Sequence, residues 1–145
     1  MIKQNIDILN ILKTSKLKAT PARISILEIF CGVEKPLSVE MIDQKLKDKR
    51  INQVTIYRTV ESLLKVGIII RVDLRQDSVF YEFNGGHNHH HHIVCTKCGE
   101  VEDFESCQIE HLSAKIISKS IRFKTIQDHS FELFGICNSC SRKNA

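Results

Sequence analysis

The chain has 145 residues, 42% of them apolar, and a formal charge of +4. That suffices for one domain, or for two of about seventy residues each, with a packed core but no surplus. No run approaches the roughly 18 consecutive apolar residues of a membrane span, and the opening residues 1–7 lack the apolar block of a secretory signal. A cytoplasmic protein with no membrane partner is expected.

In chain order, Ile2, Ile6 and Leu9 recur at helical spacing and predict a first amphipathic helix ending near Lys13. Thr20 followed by Pro21 is a helix start, an N-cap with proline at the first helical position; the helix it opens puts Ile24, Leu27 and Phe30 or Cys31 on one face. Ser38 caps the next, with Val39, Ile42 and Leu46 inward, and a polar link at residues 47–50 follows. Asn52 offers the N-cap of a fourth helix, with Ile56, Val60 and Leu63 or Leu64 inward and Gly67 as its stop. Residues 68–72 and 79–83 read as strands joined by a hairpin turn at residues 75–78.

Three helices and then a helix running into a two-stranded hairpin is the order of a winged helix-turn-helix. In that fold the second helix of the turn pair enters the major groove of DNA. Here it spans roughly residues 54–66. With Ile56, Val60 and Leu63 inward, its outer face shows Thr55, Arg58, Thr59 and Ser62, with Tyr57 at the edge. Side chains of these kinds reach phosphates and base edges; Lys16, Lys18, Arg23 and Arg75 are candidates for further phosphate contacts. Charge agrees, since residues 1–75 carry 14 Lys and Arg against 8 Asp and Glu, whereas residues 76–145 carry 7 against 9. A basic half beside an acidic half indicates two tasks, one of them on a polyanion. The competing reading is a helical packing unit with a solvated polar face.

Metal chemistry concentrates in the acidic half. All seven His lie at or beyond His87, and five of the six Cys at or beyond Cys95. Cys95 and Cys98, then Cys137 and Cys140, form two Cys-x-x-Cys knuckles about forty residues apart, the set for a closed tetrahedral zinc–thiolate site that holds structure and does no chemistry. A thioredoxin-like redox pair is the alternative, disfavoured by the presence of two pairs and the lack of a βαβ pattern. The run of His87 and His89 to His92 precedes the first knuckle. In an extended strand successive side chains alternate faces, so His90 and His92 point one way and His89 and His91 the other. Two different metal sites can grow from those pairs, with partners among Glu82, Glu100, Glu102, Asp103, Glu105, Glu110, His111 and His129, or the run is a solvated loop. No His-Glu-x-x-His helix and no nucleophile signature appears, so an enzyme is not expected. The rival from another class is a metal-storage or metal-delivery protein.

The order Thr55-Ile56-Tyr57-Arg58-Thr59-Val60, then His90-His91-His92-Ile93-Val94-Cys95-Thr96-Lys97-Cys98-Gly99, then a distal Cys-x-x-Cys, resembles the ferric uptake regulator superfamily. Lys18-Ala19-Thr20-Pro21-Ala22-Arg23 and Ser78-Val79-Phe80-Tyr81-Glu82 fit in register with it. The resemblance implies an α+β fold and a homodimeric, metal-responsive transcription repressor with no organic cofactor. A winged-helix domain over residues 1–84 would bind an AT-rich palindromic operator, and a domain over residues 85–145 would dimerise and sense metal. It assigns a structural zinc to Cys95, Cys98, Cys137 and Cys140, and a regulatory iron, zinc or manganese ion to Glu82, His90, His92 and Asp103. A second site, found in some members, falls on His89, His91, Glu110 and His129. The DNA-binding set is Lys18, Arg23, Thr55, Tyr57, Arg58 and Thr59, with Tyr57 and Arg58 matching the family's recognition-helix contacts. Two departures stand out. Many members supply a regulatory His from the start of the third helix, where this chain has Pro36 or Leu37, and Asp103 sits where iron sensors commonly have Glu and peroxide sensors Asp. A peroxide-sensing repressor is therefore the alternative within the superfamily. Cys31 and Cys107 match no family role and are expected to be buried thiols. Asn84, Gly85 and Gly86 read as the hinge, over residues 84–88, between the two domains.

Overall fold

The computed structural model describes residues 6–85, 90–105, 108–127 and 129–143. It is an α+β chain that divides into two compact units, Met1–Gly86 and His87–Ala145.

The first unit begins with α1 (Ile8–Thr14), whose start is fixed by the Asp7 carboxylate accepting the Asn10 N–H at 3.0 Å. That cap leaves Ile6 outside the helix and turns its last residues inward. Leu12 is fully enclosed and Ile8 and Ile11 pack against the core, while Leu9 is 58% exposed. The expected stripe of Ile2, Ile6 and Leu9 is thus corrected to Ile8, Ile11 and Leu12; Ile2 lies outside the described residues. Helix α2 (Pro21–Cys31) is capped by the Thr20 hydroxyl and has Pro at its first turn. It buries Ile26, Leu27 and Phe30. The Ser38 hydroxyl caps α3 (Val39–Lys45), which buries Val39 and Ile42, with Leu46 beyond it. A 3₁₀ turn at Lys47–Lys49 leads to α4 (Gln53–Lys65), where the Asn52 side chain accepts the Thr55 N–H at 2.8 Å. Ile56, Val60 and Leu63 complete the core, Leu64 stays outside, and Gly67 takes the left-handed conformation (φ 74°) that ends the helix.

Strands β2 (Ile69–Val72) and β3 (Phe80–Phe83) form the expected antiparallel hairpin. A two-residue strand, β1 (Leu37–Ser38), adds to the other edge of β3 and gives the sheet order β1-β3-β2. Two residues show no alternation, so nothing in the sequence announces that strand. Asn84 belongs to this unit, donating its N–H to the Ile68 carbonyl at 2.9 Å and its amide to Gly67 at 3.1 Å. It is therefore not free hinge; Gly86 to His89 lie outside the described residues.

The second unit contains β4 (His90–Cys95), β5 (Val101–Glu105), α5 (Gln108–Lys119), β6 (Glu132–Gly135) and the short α6 (Asn138–Arg142). Strand β4 lies in the middle, antiparallel to β5 and parallel to β6. A parallel pair with a helix in the intervening chain corrects the expectation that no such pattern exists. Glu-Leu-Phe-Gly, the whole of β6, is too short and too poor in β-branched residues to display it.

Two substitutions test the observed core, the second at the position where it departs from the expected one. Ile56→Ala should lower unfolding stability in urea by about 2–5 kcal/mol, the usual cost of truncating an enclosed aliphatic side chain. Leu9→Ala should change it by less than about 0.5 kcal/mol, as for an exposed site.

Candidate functional site

Strand β4 ends at Cys95, and β6 pairs with it in parallel so that Cys95 stands opposite Gly135. Both strands therefore finish at the same edge, and each runs directly into a Cys-x-x-Cys knuckle. One ligand atom from each of Cys95, Cys98, Cys137 and Cys140 lies within 4.8 Å of all the others. The sulfurs of Cys98 and Cys137 are 3.6 Å apart. Four sulfurs at the Zn–S length of about 2.3 Å sit about 3.8 Å apart in a tetrahedron, so the set is close to the spacing that a zinc ion requires.

The backbone is arranged for the same purpose. Gly99 closes the first knuckle, with φ 74° and its N–H donating to the Cys95 carbonyl at 2.9 Å. Thr96 ties that knuckle to β6 through its N–H to the Gly135 carbonyl at 2.8 Å. Cys137 donates its N–H to the Cys95 sulfur at 3.3 Å. Together with the N–H groups of Cys98 and Lys97 it pulls the Cys95 thiol down to about 6. Cys140 is pushed up to about 12, because the neighbouring Cys98 and Cys137 thiols favour its protonated form. A dication among the four sulfurs would remove that competition.

Upstream on the same strand the histidines alternate. His92 and Asp103 are directly opposite in the β4–β5 ladder, with Nε2 3.6 Å from Oδ1. His90 stands opposite Glu105, and its ring meets that of His92 edge-on at 5.2 Å. Sequence spacing does not choose among the nearby carboxylates, whereas strand pairing places Asp103 and Glu105 beside these two histidines. Glu82 lies on β3 of the first unit, opposite Ile70, and is 8% exposed.

His91 points to the other face. It is enclosed by the rings of Phe104, His129 and Phe131, with centroids 5.6, 5.4 and 5.4 Å away. Burial, and then the adjacent His129, hold its pKa below the ordinary imidazole value. Its Nε2 is buried with no hydrogen-bond partner among the described residues. An orphaned nitrogen beside a second imidazole is a fit for a metal at the second candidate site; His89 and the Glu110 side chain lie outside the described residues.

On the first unit, Tyr57 and Arg58 are exposed on α4, as expected. Thr59 is not. It is 6% exposed and faces the core with Val60, because the α4 stripe is wide enough to include it. Lys18 is exposed, and Arg23 donates from Nη1 to the Lys18 carbonyl at 2.9 Å, holding the loop before α2. The Glu40 carboxyl is held below its usual value, first by the Ser38 hydroxyl and then by its own N–H, with the Ser78 and Tyr57 hydroxyls assisting. The outward Gln53 and Val54, at the start of α4, were missed because periodicity assigned that face to the threonines.

A sequence model of the ferric uptake regulator family matches residues 14–134. A ferric uptake regulation protein of Neisseria meningitidis is 37% identical over 135 residues, 91% of this chain and 92% of that protein. Among solved structures, the ferric uptake regulator of Vibrio cholerae is 31% identical with a TM-score of 0.74, covering 90% of this chain and all of the other; its structure is described as revealing a rearrangement of DNA-binding domains. That of Helicobacter pylori, described as having three functional metal-binding sites, is 25% identical with a TM-score of 0.76, covering 92% and 89%.

Substituting Cys98→Ser or Cys140→Ser should reduce tightly held zinc from about one per chain to near zero by elemental analysis after dialysis. His91→Ala should leave that zinc in place.

Proposed function

The chain belongs to the ferric uptake regulator family, and on that premise we propose that it is a dimeric repressor whose hold on an AT-rich palindromic operator is set by divalent metal. It is a metal-responsive transcriptional regulator with a structural zinc and a regulatory divalent metal. The strongest single support for the assignment of residues is β4. One strand carries the His90 and His92 pair beside Asp103 and then ends in the four-cysteine cage.

Cys95, Cys98, Cys137 and Cys140 hold the structural ion. Glu82 from the first unit, with His90, His92 and Asp103 from the second, holds the regulatory one. A bound dication supplies a fixed positive charge that favours imidazole and carboxylate donors together. Glu82 and His90 flank residues 84–89, so donors from both units on one ion restrict the link between them. Restricting it in a dimer selects the arrangement of two α4 helices that fits two half-sites, a population shift in which metal and DNA tighten each other by the same factor. The basic first unit, its winged helix and the exposed Tyr57 and Arg58 supply the DNA contacts. Leu112 and Ile116 on α5, with Ile121 and Phe123 after it, are each more than half exposed. So much exposed apolar surface in a small unit suits a second copy of the chain. Among the described residues no helix is long and apolar enough to cross a membrane, and a partner that is DNA places the protein in the cytoplasm. The relatives are named as regulators of uptake, and no step of this reading requires catalysis.

The test is duplex binding with and without added iron, manganese or zinc. His90→Ala and His92→Ala should each cost most of a metal-dependent gain of about 5–150-fold in DNA affinity, the usual range of such coupling, while tightly held zinc is unchanged. Loss of that zinc in the same variants overturns the division into sensing and structural sites. Raising salt from about 50 to 200 mM should weaken wild-type binding steeply, as counterion release requires.

A further inference from the structure

The outward face of α4 differs from the one that periodicity draws, and the difference falls on the residues that meet base edges. Thr59 faces the core. Thr55 donates its hydroxyl to the Asn52 cap oxygen at 2.8 Å, and the same oxygen takes the Thr55 N–H. Ser62 donates its hydroxyl back to the Thr59 carbonyl at 2.8 Å. Three hydroxyls that stand outward on a helical wheel are therefore buried or already donating within the helix. The first two turns instead present Gln53, Val54, Tyr57 and Arg58, which share one face at helical spacing. Val54 is 59% exposed, more than Tyr57 at 49%. An isopropyl group so open at the start of α4 has no partner in its own core. Gln53 is the first residue of α4, exposed, and its amide makes no hydrogen bond among the described residues. No acidic residue stands in the first turn to repel a phosphate backbone.

We propose that Gln53 and Val54 are the specificity-determining pair with which α4 reads A·T pairs in each half-site. The Gln53 amide accepts from adenine N6 and donates to N7, the two-point fit that glutamine makes with adenine in the major groove. The Val54 methyls rest on the C5-methyl of a thymine in a neighbouring pair. Recognition-helix residues at the N-terminal end are the ones that reach base edges. The assignment rests on α4 being the DNA-facing helix, as proposed above.

The experiment is selection from a pool of duplexes with a randomised 20-base-pair core, using the metal-loaded wild type, Gln53→Ala, Val54→Ala and Ser62→Ala. The wild type should enrich a symmetric sequence. Gln53→Ala should lose about tenfold of discrimination at one adenine per half-site, and Val54→Ala a similar amount at one thymine. Ser62→Ala should keep the wild-type pattern. Replacing that thymine by uracil, which removes only the methyl, should weaken the wild type and leave Val54→Ala unaffected. Both substituted residues are exposed, so thermal melting should be unchanged. Unaltered base preferences in Gln53→Ala and Val54→Ala overturn the pair as readers. So does a loss uniform across all sequences with a smaller salt slope, which would make them phosphate contacts. Failure of the wild type to enrich any sequence overturns the DNA reading itself, and the pair with it.

Discussion

The parallel alignment of β4 with β6 decides where four sulfurs can be. With Cys95 opposite Gly135, the chain leaves both strands at one edge and each exit is a Cys-x-x-Cys turn. Had β6 run the other way, the second knuckle would leave the opposite edge, about 13–20 Å away for strands of four to six residues at about 3.3 Å each. No thiolate shell with bonds of about 2.3 Å tolerates that. The N–H of Cys137 reaching the Cys95 sulfur and the Thr96 bond to Gly135 are the local signs of the same alignment.

What the cage fixes at the end of β4, the pleat carries back along it. His92 and His91 are adjacent in sequence and lie in unlike surroundings: one beside Asp103, the other among Phe104, His129 and Phe131. A slip of one residue would exchange those surroundings, because side chains alternate with a period of two. Metal at the strand's end and metal donors along its length are thus linked through register alone. That gives a physical reason for a structural ion near a sensing one.

Features set by contacts three or four residues apart were legible in the sequence. Thr20, Ser38 and Asn52 cap the helices they were expected to cap, since each bond is local, and Ile56, Val60 and Leu63 of the α4 interior followed from its period, whereas Thr59 did not. The first helix was misread because two overlapping stripes exist there and only the Asp7 cap selects between them. Strand β1 and the direction of β6 depend on partners forty or more residues away, beyond the reach of any window. The same limit applies around the histidines: the cysteine pairs announced themselves by spacing, whereas only the ladder shows that Asp103 and Glu105, of the six nearby carboxylates, stand opposite His92 and His90. On α4 the Asn52 cap was visible, but its second consequence, engaging the Thr55 hydroxyl, appears only once the side chains are placed.

The distance along the chain between the two knuckles has a bearing on how the protein is made. The first unit is assembled from neighbouring helices and a hairpin, all of which leave the ribosome before the second knuckle, at a synthesis rate of about 5–20 residues per second. The cage closes only when Cys137 and Cys140 arrive, several seconds after the histidine strand. Throughout that interval Cys95 and Cys98 are an incomplete pair, open to any thiophilic ion or oxidant, while the basic unit already exists. If binding of the ion and folding are coupled, zinc supply at that moment would bear on the yield of competent repressor. A cell short of zinc would accumulate chains with a finished DNA-binding half and an unfinished sensor.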